Sequence, residues 1–195
     1  MPQRPCLVAV GGFSGTGKST LAIGLAPSVG PVPGAIVIRT DEIRKRLLGV
    51  APLQRLGPDG YTRDVSARVY AAAAERARHA LREGHSAIVD AVCTRREDRE
   101  AFERIAAEAS VPFAGIWLEA PEPALVARVE QRRNDASDAD ADVIRMPRRE
   151  PTGAIAWQRI DASASAAAVL ERATEVLRSR IGDGLDLQSG HTEAP

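Results

Sequence analysis

The sequence predicts a doubly wound α/β fold, in which a parallel sheet is covered by helices on both faces. Short apolar runs alternate with longer helical segments along most of the chain, and this alternation is typical of parallel strands joined by helical crossovers. The runs are continuously apolar, as expected of strands buried on both faces. In folds of this class, ligands bind at the carboxyl ends of the strands.

Five strands and six helices follow from this pattern. The predicted strands are residues 6–10, 35–39, 86–90, 112–118 and 156–160. The predicted helices are residues 18–26, 42–48, 65–82, 96–109, 122–133 and 165–180.

Two segments fall outside the alternation. Residues 49–61 form a loop rich in glycine and proline, and residues 134–151 form a polar insertion. Because long loops at a strand's carboxyl end are often functional, we expect one to shape a ligand site and the other, over about 134–150, to be a lid. We expect one domain over residues 1–181 and a disordered tail over 182–195, where periodicity is absent and turn residues are frequent.

Composition excludes several classes of function. Lys plus Arg and Asp plus Glu each number 26, so the net charge is +0 and no global basic field attracts nucleic acid or anionic lipid. No apolar run approaches the roughly 18 residues of a membrane span, and the apolar start is too short for a signal peptide. Cys6 and Cys93 do not form a disulfide framework. We therefore expect a soluble, cytoplasmic protein with reduced thiols.

The most specific motif is GFSGTGKS at residues 12–19. It fits G-x-x-x-x-G-K-[ST] completely, follows the first apolar strand and precedes a helix, which is the context that a phosphate-binding P-loop requires. Glycines let backbone N–H groups converge on phosphates, and the helix N-terminus adds partial positive charge. The alternative is a Gly-rich turn that binds nothing. The predicted nucleotide contacts in this segment and at the residue after it are Gly12, Ser14, Gly15, Thr16, Gly17, Lys18, Ser19 and Thr20.

The roles of three of these residues follow from P-loop chemistry. We expect Lys18 to reach the β- and γ-phosphate oxygens and Ser19 to ligate Mg²⁺, and Thr20 can support the α-phosphate. The motif thus predicts binding of a nucleoside triphosphate, ATP in the simplest case, together with Mg²⁺.

The P-loop and several later stretches resemble a family of small P-loop kinases. That family also occurs as the ATP-binding half of proteins with an aminoglycoside-phosphotransferase-like domain, and it is related to zeta-toxin-type, gluconate and polynucleotide 5′-kinases. The stretches that carry the resemblance are GGFSGTGKSTLA, RTDEIRKRL, YTRDVSARVY, AIVDAVCTRREDREAF, ARVEQRRNDASDAD and WQRIDAS. The resemblance spans about residues 6–180. It implies the type of reaction and does not identify the acceptor. With it we expect a five-stranded parallel sheet in the order 2-3-1-4-5.

Asp41 and Arg44 follow the second predicted strand in TDEIR. In the related kinases the matching Asp accepts the proton of the acceptor hydroxyl, and the Arg holds the acceptor or the transferring phosphate. The spacing places both residues on one face of a helix's first turn. The alternative is that Thr40 or Asp41 caps the helix and Arg44 is solvated.

Asp90 ends the apolar run of the third predicted strand, a Walker B-like pattern. A carboxylate there would hold Mg²⁺ directly or through water, whereas the alternative is a strand-terminal Asp that starts a turn. Arg95, Arg96 and Arg99 begin the helix that follows. One of them can contact substrate, but most charges in such a run form a solvated face. Cys93, just past the same strand end, is interpreted as a packed thiol, and the alternative is that it lines the acceptor pocket.

Arg128 and Arg132 lie four residues apart where a helix enters the polar insertion. In adenylate-kinase-like enzymes the matching pair stands at the root of the lid, where the first stacks on adenine and the second reaches the phosphates. The alternative is that both favour the negative end of the helix macrodipole. Residues 161–163 resemble the loop that passes the adenine in related kinases, although a helix N-cap at Ser163 explains them equally well.

These observations together predict an ATP-dependent kinase that phosphorylates a hydroxyl of a small molecule: a sugar, sugar acid, antibiotic or nucleotide sugar. The catalytic set is Lys18, Asp41, Arg44 and Arg132, and the metal ligands are Ser19 and Asp90. Two alternatives stay open. A polynucleotide 5′-hydroxyl kinase needs a basic channel with stacking aromatics, and only 4% of residues are aromatic. A non-catalytic, nucleotide-gated binding module would need neither Asp41 nor an acceptor pocket.

Overall fold

The computed structural model describes residues 4–130 and 152–182. The predicted lid at 134–150, Arg132 and residues 183–195 of the predicted tail lie outside these ranges. None of the helices in the described ranges combines the length and the hydropathy needed to cross a membrane.

Every predicted strand and helix has a counterpart among the described residues. The strands are β1 (Leu7–Gly12), β2 (Ile36–Arg39), β3 (Ala87–Asp90), β4 (Phe113–Glu119) and β5 (Gln158–Asp161). The helices are α1 (Lys18–Leu25), α2 (Thr40–Leu47), α3 (Arg63–Arg82), α4 (Arg96–Glu108), α5 (Glu122–Glu130) and α6 (Ala166–Ile181). Two short 3₁₀ turns are Ala26–Ser28 and Pro58–Tyr61.

The five strands form one parallel sheet in the order β2-β3-β1-β4-β5, which confirms the predicted topology. The register pairs Val10 of β1 with Asp90 of β3, and Arg39 of β2 with the same Asp90. The carboxyl ends of β2, β3 and β1 therefore meet at one edge of the sheet.

The central strands are apolar except for Asp90 and Glu119 at the carboxyl ends of β3 and β4, because both faces of the sheet are covered. Leu7 and Ala9 of β1 belong to the core beneath α3 and α4, while Val8 and Val10 belong to the core beneath α1 and α6. Successive side chains of a strand point to opposite faces, so a strand between two helical layers needs an unbroken apolar run.

The two edge strands depart from this expectation. Only Ile38 is buried in β2 and only Ile160 in β5, because each edge strand has a neighbour on one side and the helices cover it incompletely. The prediction that every strand is covered on both faces is thus wrong for β5, and it holds in part for β2, where Val37 and Ile38 pack against the cores on opposite faces.

Candidate active site

The phosphate loop, residues 12–19, joins β1 to α1. Gly12 has φ +136°, and a Cβ there would collide with the backbone carbonyl of Leu118 in β4. Gly17 caps α1 in the left-handed conformation, with φ 88° and ψ 20°. Both positions need glycine, since other residues resist positive φ. The helix consequently begins at Lys18 with its N-terminus at the carboxyl edge of the sheet.

The backbone carbonyl of Phe13 closes the loop on itself. It accepts hydrogen bonds from the Thr16 hydroxyl at 2.8 Å and from Lys18 Nζ at 3.0 Å. The Lys18 ammonium therefore lies across the loop. Ser14 and Ser19 are half-buried, and Thr20 is exposed in the first turn of α1.

Ser19 and Asp90, the two predicted metal ligands, lie together. The Ser19 hydroxyl donates to Asp90 Oδ2 at 2.6 Å, and Asp90 is only 5% exposed. The backbone carbonyl of Asp90 also accepts a hydrogen bond from the Thr40 hydroxyl at 3.1 Å. Strand adjacency brings this about, because β3 lies beside β1 and both end at the same edge.

Arg39 completes this cluster, and sequence reasoning missed it. Its Nε donates to Asp90 Oδ2 at 3.3 Å, its Nη2 donates to Ser19 Oγ at 3.0 Å, and its Nη1 pairs with Glu42 Oε1 at 2.9 Å. The signal was available, since Arg39 ends β2 as Asp90 ends β3, and adjacent parallel strands bring their last residues together.

Asp41 lies in the first turn of α2, which begins at Thr40. Burial raises the pKa of the Asp41 carboxyl above its ordinary value, the positive charge of Lys18 opposes the rise, and the Asp90 carboxylate adds to it. Neither Thr40 nor Asp41 caps α2. Arg39 occupies the N-cap position, and its side chain makes no capping hydrogen bond. The capping alternative is therefore wrong.

We expect Asp41→Asn to stabilise the fold at neutral pH. The raised pKa means that the folded state binds the Asp41 proton more tightly than the unfolded state, so its ionisation costs stability as the pH rises above about 3.8 and through the folded pKa. Asparagine removes that cost. The thermal midpoint of the variant should exceed that of wild type at pH 7.5.

The gain should shrink as the pH falls toward 4, where the wild-type carboxyl becomes protonated. Asp64→Asn is the matched control, because Asp64 is exposed in the first turn of α3, where the helix dipole favours a negative charge. That variant should gain no stability at either pH. A midpoint of Asp41→Asn at or below wild type at pH 7.5 would contradict the assigned burial cost.

Arg44 is buried between α2 and the loop at 49–61, so the alternative of a solvated side chain is wrong. It is 7% exposed, its Nη1 donates to the Gly60 carbonyl at 2.8 Å, and its guanidinium lies 4.7 Å from the ring centroid of Tyr61. Its Nε is buried without a hydrogen-bond partner among the described residues. Arg44 therefore ties the helix of Asp41 to the 3₁₀ turn Pro58–Tyr61.

The three arginines after β3 have different environments. Arg96 is exposed and paired with Glu100, as a solvated face predicts, and Arg95 forms a two-bond ion pair with Asp98 at 2.7 and 3.0 Å. Arg99 is 3% exposed and therefore corrects the expectation of a solvated side chain. It donates to backbone carbonyls on both sides: Cys93, Thr94, Thr152 and Ala154.

Arg99 therefore joins the loop after β3 to the segment that precedes β5. The Cys93 thiol beside it is fully buried, and burial raises its pKa, which keeps it protonated. This agrees with the interpretation of Cys93 as a packed thiol.

Arg128 of α5 reaches the loop after β5. Its Nη2 donates to the carbonyls of Ser163 and Ala164 at 3.4 and 3.3 Å. Asp161 accepts a hydrogen bond from the backbone N–H of Ser163 at 2.8 Å. The N-cap of α6 is Ser165, so the capping explanation offered for Ser163 is wrong. Arg132, which was predicted to act together with Arg128, lies outside the described residues.

Comparison with known protein families places most of the chain in one family. Residues 7–152 match the AAA_33 family, which is described as an AAA domain. The matched range includes the phosphate loop, Asp41 and Asp90.

The curated relatives are longer proteins, and the chain matches a part of each. The uncharacterized protein Rv2004c of Mycobacterium tuberculosis (strain ATCC 25618 / H37Rv) is 35% identical over 143 residues, which cover 70% of this chain and 28% of that protein. The chain thus matches little more than a quarter of this relative's length.

Solved structures share the fold at low identity. A gluconokinase from Sinorhizobium meliloti 1021 superposes with a TM-score of 0.61 at 21% identity, over 91% of this chain and 94% of that one. The APS kinase of Mycobacterium tuberculosis, in complex with AMPPNP and APS, superposes with a TM-score of 0.61 at 18% identity, over 91% and 99%. At these identities the likeness concerns the fold.

Proposed function

The chain belongs to the AAA_33 family of AAA domains, and from this membership we propose that it is a phosphotransferase that moves the γ-phosphate of ATP to a hydroxyl of a small molecule. The fold of small P-loop kinases, expected from the sequence and shared with the gluconokinase and the APS kinase, supports the reaction class. The acceptor belongs to the sugars, sugar acids, antibiotics or nucleotide sugars.

The observation that carries this proposal is the position of Asp41. A protein that only binds nucleotide needs groups for the triphosphate, and a kinase needs one more group that receives the proton of the acceptor. Asp41 stands at the carboxyl end of β2, in the electrostatic neighbourhood of Lys18 and Asp90, and burial raises its pKa. A base with a raised pKa takes a proton more readily near neutral pH.

The nucleotide side of the site is the phosphate loop. The N-terminus of α1 favours negative charge through its free N–H groups and its dipole. Lys18 lies on the loop with its ammonium against the Phe13 carbonyl, a contact that it can exchange for a phosphate oxygen. At the adenine end of the nucleotide, Arg128 and the loop at 163–164 would border the adenine ring. Arg132 remains a predicted phosphate contact.

The Ser19–Asp90 pair fits Mg²⁺ by its chemistry. Mg²⁺ prefers oxygen ligands, and in such sites it uses one or two carboxylates together with substrate phosphates. Ser19 and Asp90 lie within hydrogen-bond distance of each other at the start of α1 and would be the protein ligands of the ion. When bound, the ion would neutralise charge on the triphosphate.

Transfer then proceeds as an in-line displacement. The acceptor hydroxyl gives its proton to Asp41 as its oxygen bonds to the γ-phosphorus, and the bond from that phosphorus to the β–γ bridging oxygen breaks. ADP leaves with the bridging oxygen. Lys18 would stabilise the charge that shifts to the leaving oxygen, while Arg44 holds the Asp41 helix against the loop at 49–61, which we assign to the acceptor side.

A screen of pooled metabolites for acceptor-dependent release of ADP tests the proposal. At least one pool that contains a sugar, sugar acid, antibiotic or nucleotide sugar should raise ADP release well above the rate with water alone. Oligonucleotides with a free 5′-hydroxyl are included as a separate pool, so that a polynucleotide kinase is recognised. If ATP binds and no pool raises ADP release, the nucleotide-gated binding module is the better account.

A further inference from the structure

Arg39 donates hydrogen bonds to Ser19 and Asp90, the two residues that the proposed function assigns to Mg²⁺. The Nε and Nη2 atoms, which share one edge of the planar guanidinium, donate to Asp90 Oδ2 at 3.3 Å and Ser19 Oγ at 3.0 Å. Such two-point contacts combine charge with fixed geometry. The Arg39 side chain is 15% exposed and the Asp90 side chain is 7% exposed, so solvent screens their interaction only in part.

A guanidinium and a divalent cation compete for this site. Both carry positive charge, and both require lone pairs of the same hydroxyl and carboxylate oxygens. At separations of a few ångströms, like charges in a partly buried site repel strongly. The contacts of Arg39 seen here and metal coordination by Ser19 and Asp90 therefore oppose one another.

Glu42 offers the guanidinium a second partner. Its carboxylate contacts Arg39 Nη1 at 2.9 Å, on the outer side of the cluster, and its side chain is 52% exposed. Arg39 can therefore withdraw from Ser19 and Asp90 toward solvent and still keep one ion pair.

We propose that Arg39 is a displaceable counter-ion that holds Ser19 and Asp90 in place until the metal–nucleotide complex binds, and that it then withdraws toward Glu42. The proposal rests on the proposed function. Arg39 acts through Ser19 and Asp90 and is thus a positioning residue. Removal of Arg39 has two effects, and both favour metal-bound over metal-free nucleotide. The competitor for the metal site is lost, and metal-free nucleotide loses a nearby positive charge.

The test measures the affinity of AMPPNP by calorimetry, with excess Mg²⁺ and with EDTA, in wild type and in Arg39→Gln. The readout is the ratio of the Kd in EDTA to the Kd in Mg²⁺, which does not depend on turnover. We expect this ratio to rise on the order of tenfold in Arg39→Gln, the usual worth of a hydrogen bond to a charged group.

Two further variants make the result specific. Arg82→Gln removes the same charge from the end of α3, where Arg82 is 62% exposed and paired with Glu75, and should leave the ratio unchanged. Arg39→Lys keeps the charge and loses the planar two-point contact, so its ratio should lie between those of wild type and Arg39→Gln. It also serves as the test variant if thermal unfolding shows that Arg39→Gln does not fold.

An unchanged or lower ratio in the Arg39 variant overturns the proposal, because an arginine that helps Asp90 to hold the metal would lower it. If wild type binds AMPPNP with a clear dependence on Mg²⁺, that outcome leaves the proposed function intact. If wild type binds no AMPPNP under either condition, the proposed function fails and this inference fails with it.

Discussion

Lys18→Ala should reduce phosphoryl transfer by at least about 10²- to 10³-fold, the usual cost of losing a preorganised charge at a transferring group, and it should weaken ATP binding. Lys18 begins α1 and places its ammonium 3.0 Å from the Phe13 carbonyl, across the phosphate loop. Alanine favours helix and fills no new space, so the fold should survive. Calorimetry with AMPPNP and turnover with a true acceptor measure the two effects.

The control for Lys18→Ala is Arg82→Ala, which removes one positive charge from an exposed ion pair at the end of α3. It should behave as wild type in both assays. Unchanged nucleotide affinity and unchanged turnover in Lys18→Ala would contradict the assignment of residues 12–19 as the phosphate site.

Asp41→Asn should lower turnover by about 10²- to 10⁴-fold, the usual worth of a positioned general base. Asparagine keeps the size and the hydrogen-bonding capacity of the side chain and removes the base. The affinity for AMPPNP should scarcely change, because Asp41 is assigned to the acceptor and not to the nucleotide. The separation of turnover from nucleotide affinity distinguishes a kinase from a nucleotide-binding module.

Asp64→Asn makes the same chemical change at an exposed position of α3 and should leave turnover unchanged. A thermal midpoint of Asp41→Asn at or above that of wild type at pH 7.5 would exclude unfolding as the cause of its lost activity. Equal turnover of Asp41→Asn and wild type, measured with a true acceptor, would remove Asp41 from the mechanism.

The order of strands and helices was predictable because it depends on local periodicity. The apolar run at 6–10 and the motif GFSGTGKS directly after it predict β1, the phosphate loop and the start of α1 within a residue or two. The exposed positions of β2 and β5 follow from their places at the two edges of the sheet, so the predicted strand order carried that information and local periodicity did not.

Two arginines show what sequence reasoning overlooks. Arg39 contacts Ser19 and Asp90 because β2 pairs with β3 in register, so the predicted strand order contained the signal. Arg99 lies on the buried face of α4 with Phe102 and Ala106, at the i, i+3 and i+7 positions. The presence of a charge concealed that periodicity, since a buried arginine requires backbone carbonyls that only the tertiary fold brings together.

Arg44 illustrates the part of the site that local patterns do not determine. The three-residue spacing from Asp41 predicts a shared helix face, and both residues do lie on α2. The contacts of Arg44 with Gly60 and Tyr61 come from the loop at 49–61, whose course depends on long-range packing. For the same reason the acceptor, which we expect this loop to contact, does not follow from the motifs.

Transfer of a radiolabelled γ-phosphate from ATP to the acceptor found by the screen tests the central claim most directly. In wild type the label should appear on a hydroxyl of the acceptor in step with ADP, and in Asp41→Asn both should form at the reduced rate while AMPPNP binding persists. Label that stays in ATP, or that is released only as inorganic phosphate with every acceptor, would contradict the assignment of this chain as a phosphotransferase.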